Sequence, residues 1–306
     1  MELIKRAIAI IVAVMRAIFS GKQLVLPDDL NEAPVAPPLP PSPEEPEPSS
    51  QVVSSESPPP VEVVEGPAIK LSPLFFDTYQ GDYPVLNLSK VVENQLYYGV
   101  ILKATEGDYY FPSWFLENWK KAKEVAKDRY GDTWFRGCYH YLKANISGTI
   151  QAESYLNHVR KAGGWDYGDL WPIVDVERGA DGSANYKATR QQWIDVTTAW
   201  ATKVKEETGR QVMLYGNQVM YEFGIKNKMN CDWLWPASYL EQLHPEIYLR
   251  AGWSKDRVVF WQYAGDSKSK LKGYPAVSPL GPNGDISVLV MEGGIERLRS
   301  ELQSKP

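Results

Sequence analysis

Leu170-Trp171-Pro172-Ile173-Val174-Asp175-Val176-Glu177 reads as a buried β-strand that finishes on two carboxylates one residue apart. Side chains alternate between the two faces of extended backbone, so both acids point to one side, about 6.6 Å apart along the strand. Two acids on one face of a buried strand end are costly, and such costs are concentrated where chemistry needs them. The competing arrangement puts one acid in a helix cap and the other in solvent.

Short apolar runs recur on both sides of this stretch. Leu74–Asp77, Tyr98–Lys103 and Gly137–Leu142 precede it, and Gln211–Tyr215, Cys231–Ser238, Val258–Tyr263 and Ile286–Val290 follow. Between them lie the helical patterns Pro112–Asp128, Thr149–Ala162 and Thr189–Thr208, the last closed by Gly209. Strand and helix alternating over about 235 residues predict an α/β fold with parallel pairing, a (β/α) TIM-like barrel. It is expected to be flattened or irregular late in the chain, where the helices thin out.

Working residues of such barrels sit at the C-terminal ends of the strands. Asp77 ends the first strand, and Asp285 opens the last after Gly281-Pro282-Asn283-Gly284. Each alone suits a turn equally well. With Asp175 and Glu177, however, a barrel would gather four acids on one rim. Tyr139, Tyr215, Trp261 and Tyr263 also fall at strand ends, where rings either stack on sugars or pack the core.

Composition narrows the classes. Of 306 residues 43% are apolar, enough for a large core, and the net charge of −5 with no basic cluster in the globular part argues against nucleic acid. The 11 Trp and 18 Tyr against 8 Phe suit amphipathic contacts such as sugar rings. Cys138 and Cys231 lack metal-site spacing and read as buried, reduced thiols, and His140, His158 and His244 are scattered, so no metal and no cofactor is expected.

The chain divides into residues 1–22, 23–69 and 70–306. On a helix, Lys5, Arg6 and Arg16 share one face of the first segment with Ala9, Ala13 and Ala17, opposite large aliphatics. Leu3 to Phe19 would reach about 26 Å, so lying in a membrane interface is easier than spanning it. A secretory signal, a signal-arrest segment and a helix docking on copies of itself or on a protein partner through Ile4, Ile8, Ile11, Met15 and Ile18 also fit. Residues 23–69 hold thirteen prolines and no Lys or Arg, the composition of a disordered, extended, self-repelling linker.

Seven motifs in order resemble the glycoside hydrolase family 25 muramidases. They are Phe76-Asp77-Thr78-Tyr79-Gln80-Gly81-Asp82, Ile101-Leu102-Lys103-Ala104-Thr105-Glu106-Gly107, Gly137-Cys138-Tyr139-His140-Tyr141, Pro172-Ile173-Val174-Asp175-Val176-Glu177, Leu214-Tyr215, Trp261-Gln262-Tyr263 and Gly284-Asp285. The resemblance implies hydrolysis of the β-1,4 bond between N-acetylmuramic acid and N-acetylglucosamine in peptidoglycan glycan strands. Glu177 then looks like the proton donor, Asp175 its partner at the N-acetyl group, and Asp77 and Asp285 supporting carboxylates. Gln80, Lys103 and Gln262 join Tyr139, Tyr215, Trp261 and Tyr263 as candidate substrate-binding residues. In the first motif Gln80 follows Asp77 by three positions where the commoner pattern has five. The layout of anchor, linker and enzyme leans towards a phage endolysin or virion-associated lysozyme, acting at a cell wall. The alternatives are a chitinase-like hydrolase and a non-catalytic carbohydrate-binding or structural protein on the same barrel.

Overall fold

The computed structural model describes residues 72–78, 86–124, 134–265, 268–280 and 284–303. The expected helix in residues 1–22, the linker in 23–69 and Gln80 lie outside them. Among the described residues no helix is long and apolar enough to cross a membrane.

All eight expected strands form. They are β1 (Leu74–Thr78), β2 (Tyr97–Glu106), β3 (Phe135–Tyr141), β4 (Ile173–Asp175), β5 (Met213–Tyr215), β6 (Trp233–Trp235), β7 (Phe260–Gly265) and, after a two-residue β8 (Lys268–Ser269), β9 (Asp285–Leu289). Strand β4 is shorter than expected, so Glu177 stands two residues beyond its end. Extended pairing nevertheless runs on, since the Val176 amide donates to the Tyr215 carbonyl at 3.1 Å.

Strands β1 to β6 pair in chain order and in parallel. Their residues are buried on both faces, which is why they read as nearly unbroken apolar runs. The last third differs from a regular barrel. Strand β9 enters antiparallel between β1 and β7, and β8 forms a hairpin with β7. A parallel return requires a long crossover, usually helical, and no helix occurs among the described residues between β7 and β9. The mixed nine-stranded sheet curls until β6 and β7 meet through isolated bridges at Leu234/Val258 and Ala237/Gln262.

Helices α1 (Leu88–Glu93), α2 (Ser113–Glu124), α3 (Gly148–Lys161), α4 (Ala184–Lys187), α5 (Arg190–Thr208), α6 (Gln218–Glu222), α7 (Glu246–Leu249) and α8 (Gly294–Gln303) connect or cover the strands. Thr189 and Gln192 form a capping box at the start of α5, and Gly209 ends it at φ 64°. Trp193, Thr197, Trp200, Ala201 and Val204 give α5 its buried stripe. Helix α3 packs closely on it because Gly148 has no side chain; a Cβ there would fall 2.1 Å from the Val196 carbonyl.

Two apolar layers result. One lies between the convex face of the sheet and the helices and includes both cysteines. His140 is buried there too, stacked on Trp200 and bonded to Thr105 and Gln151. The other fills the concave face with Phe75, Ile101, Ile173, Met213, Trp233 and Phe260, and Ile295, Leu298 and Leu302 of α8 join it. Because β9 runs against β1, α8 closes the end of the curled sheet opposite the C-terminal ends of the parallel strands.

Candidate active site

Strand alternation builds the site. Two positions beyond an apolar concave-face residue comes a polar one: Asp77 after Phe75, Lys103 after Ile101, Asp175 after Ile173, Gln262 after Phe260. Strand β9 contributes from its start, where Asp285 pairs directly with Asp77. A cavity of about 240 Å³ opens at this rim, and all four expected acids line it. Lys103, Tyr139, Tyr141, Tyr215, Trp235 and Tyr239 complete its wall.

On one wall, the Gln262 side chain is fully buried and sits between two acids. Its Nε2 donates to Asp77 Oδ1 at 3.0 Å and reaches Asp285 Oδ2 at 3.4 Å. Its Oε1 accepts from the Tyr215 hydroxyl at 2.7 Å and the Tyr239 hydroxyl at 3.2 Å. Gln262 therefore holds side chains rather than facing a ligand. Trp261 and Tyr263, expected at the rim, turn to the opposite face of the strand. There Trp261 Nε1 donates to Ser238 and the Tyr263 hydroxyl to the Pro275 carbonyl, both within the outer apolar layer.

The other wall carries Asp175 and Glu177. Asp175 is buried, and its Oδ1 has no hydrogen-bond partner among the described residues. Glu177 stands exposed at the cleft mouth. Its backbone is fixed by the buried Asn185, whose Nδ2 donates to the carbonyls of Glu177 at 3.0 Å and Leu142 at 2.8 Å. Lys103 donates to Glu106 at 2.6 Å, and Lys143 pairs with the same carboxylate at 2.6 Å.

Glu106 is a residue that strand periodicity hides. A side chain three positions after Lys103 should face the other way, but the register of β2 on β3 shifts between Lys103 and Thr105. The bulge brings Glu106 back to the Lys103 side. Asn185 carries no pattern at all, since α4 is a single turn.

Electrostatics separates the acids. Burial, then the Asp285 charge, raises the Asp77 pKa well above the usual carboxyl range, with the Gln262 hydrogen bond opposing. Burial, then Glu177, does the same to Asp175, with Lys103 opposing. Glu177 is raised by burial and pulled back by Lys103. Burial alone would raise Glu106, but the two ammonium groups hold it below its ordinary value, so it stays charged. Tyr139 and Tyr215 are pushed upward by burial and by the acids and remain neutral donors. Among the described residues no three His, Cys, Asp or Glu side chains are disposed to hold a metal ion. The arrangement suits proton donation by one carboxyl beside others that carry charge.

The sequence matches the family described as glycosyl hydrolases family 25 over residues 77–273. The fold is similar to that of a muramidase from Acremonium alcalophilum, with a TM-score of 0.58 and 24% identity over 76% of this chain and 99% of that one. It is also similar to a bacterial lysozyme from Streptomyces coelicolor, with a TM-score of 0.61 and 21% identity over 78% of this chain and all of that one. At such identities the likeness concerns the fold. A curated relative, the uncharacterized protein YegX of Escherichia coli strain K12, is 25% identical over 199 residues, 65% of this chain. The match spans 61% of YegX's own length.

Proposed function

The chain belongs to glycosyl hydrolases family 25, and from that premise we propose that it is a muramidase, cutting peptidoglycan glycan strands between N-acetylmuramic acid and N-acetylglucosamine. The observation that carries this reading is the convergence of Asp77, Asp175, Glu177 and Asp285 on one small cleft, with Glu177 at its mouth. Glu177 donates its proton to the departing glycosidic oxygen. The buried, unpartnered Oδ1 of Asp175 accepts from the N–H of the substrate's acetamido group. That group's carbonyl oxygen attacks the anomeric carbon as the glycosidic bond breaks, and a water then reopens the resulting ring with Glu177 as base. The retained anomer follows. Asp77 and Asp285 face the developing positive charge, held in place by Gln262.

The setting we infer is the cell wall, as a phage endolysin or virion-associated lysozyme; support for the phage origin is confined to the composition of residues 1–69. Digestion of purified peptidoglycan by the full chain tests the reaction. Native protein should release muramic-acid reducing ends, and Glu177→Gln should be slower by at least about a hundredfold. Absence of release would leave a carbohydrate-binding role, and equal release by both would remove Glu177 as the proton donor; cleavage of chitin oligomers in preference to peptidoglycan would favour the chitinase-like alternative.

A further inference from the structure

Beside the cleft lies a second hollow of about 440 Å³, and Tyr141 belongs to both. The Tyr141 ring is the partition, with Lys103 Nζ 4.9 Å and Lys143 Nζ 4.8 Å from its centroid. Lys103 lines the catalytic cleft and Lys143 the second hollow. One carboxylate, Glu106, serves both ammonium groups, and Lys143 keeps 22% of its side chain accessible. Lys103 also faces Asp175 and Glu177 in the catalytic cleft, whereas the partly accessible Lys143 ammonium turns to the second hollow, where a ligand carboxylate can join Glu106 as its partner.

The remaining walls are mixed. Tyr109, 59% exposed, offers a ring, Ile146 an apolar surface and the exposed Asn145 an amide. Opposite them the chain is small-sided: Gly179, Ala180 and Ala184. Gly179 adopts φ +71°, where other residues are strained, and a Cβ there would crowd the Ser183 hydroxyl at 3.1 Å and the Tyr141 hydroxyl at 3.2 Å, so glycine lets this wall stand close to the partition. Asn185 lines the same hollow while holding the Glu177 carbonyl. The hollow is thus fixed relative to the group at the cleft mouth.

A cation, an amide and apolar surface together match a short peptide bearing a carboxylate better than a neutral sugar. Resting on the muramidase reading, we propose that the second hollow binds the peptide stem carried on the lactyl arm of muramic acid. Lys143 meets a stem carboxylate, and Tyr109 and Ile146 cover its aliphatic part. The enzyme then selects strands that carry stems.

The test compares soluble stem-bearing strands with the same strands freed of stems by an amidase, using the full-length native protein, Lys143→Met and Ala184→Trp. Ala184 is exposed on α4, so the tryptophan fills the hollow without entering the core. Native protein should favour stem-bearing strands in kcat/KM, and the ratio between the two substrates should fall at least tenfold in each variant, through KM. An unchanged ratio in both variants, or native protein with no preference, would overturn the stem site while leaving the muramidase reading intact. Failure of native protein to release muramic-acid ends from either substrate would overturn both.

Discussion

The two walls of the cleft each hold a pair of acids and treat them differently. Asp175 and Glu177 face the ammonium of Lys103, a full charge that pulls both pKa values down against burial. Asp77 and Asp285 are bridged by the neutral amide of Gln262, itself fastened by two tyrosine hydroxyls. A charge sets when a proton leaves; a hydrogen-bonded amide sets where a carboxyl stands. One wall is therefore expected to govern the pH response and the other the geometry.

The contrast breaks most visibly if activity does not divide the same way. Asp175→Asn should lower kcat by about 10² to 10³ with little change in KM, since an interaction aimed at the transition state is lost. Asp77→Asn should cost about tenfold. Equal losses, measured on peptidoglycan fragments, would erase the distinction.

Stability should move the other way round. Gln262→Leu removes the amide from between the Tyr215 hydroxyl and the buried Asp77 carboxyl and should lower the unfolding free energy by about 2–4 kcal/mol, read by denaturant titration. A loss under 1 kcal/mol would mean that the amide is not what holds this wall.

The pH profile sharpens the comparison further. With Glu177 as the proposed proton donor, activity falls as pH rises through the Glu177 pKa. Lys103 depresses that pKa, and Lys103→Met should therefore move the alkaline limb to higher pH; Asp175 rises as well, so an acid limb that reports its ionisation moves up too. Gln262→Leu should leave the alkaline limb where it was.

The smallest effect concerns the native state alone. Asp77 binds its proton more tightly folded than unfolded, so stability is lost as pH climbs from the ordinary carboxyl range, about 4, towards the raised value. Asp77→Asn should raise the melting temperature at pH 7 and leave it unchanged at pH 3; a gain at both would point to packing rather than charge.

Much of this cleft could be read before any coordinates. Asp175 and Glu177 close an apolar run, and Asp77 and Asp285 mark strand ends. Alternation, once the phase of each strand is known, places them together. Phase is what sequence leaves open at Trp261-Gln262-Tyr263, three ring or amide side chains at a strand end. The pleat turns the central one inward and the outer two away. Glu106 was concealed for a related reason, because a bulge reverses its side. Nor does an apolar run reveal its direction, so β9 could be located but not oriented.

That orientation also bears on time. Phe75 pairs with Ser287 and Asp77 with Asp285, joining the first described strand to one more than two hundred residues later. Contacts so distant in sequence form late, after the entropy of closing the intervening chain has been overcome. Until they form, Asp77 lacks its facing carboxyl and Gln262 lacks a bridge to make, whereas Asp175 depends only on the nearer pairings of β4 with β3 and β5. A nascent or partly unfolded chain would thus lack the wall opposite Glu177, and the proposed activity should emerge in a single late step rather than grow with the folded fraction of the sheet.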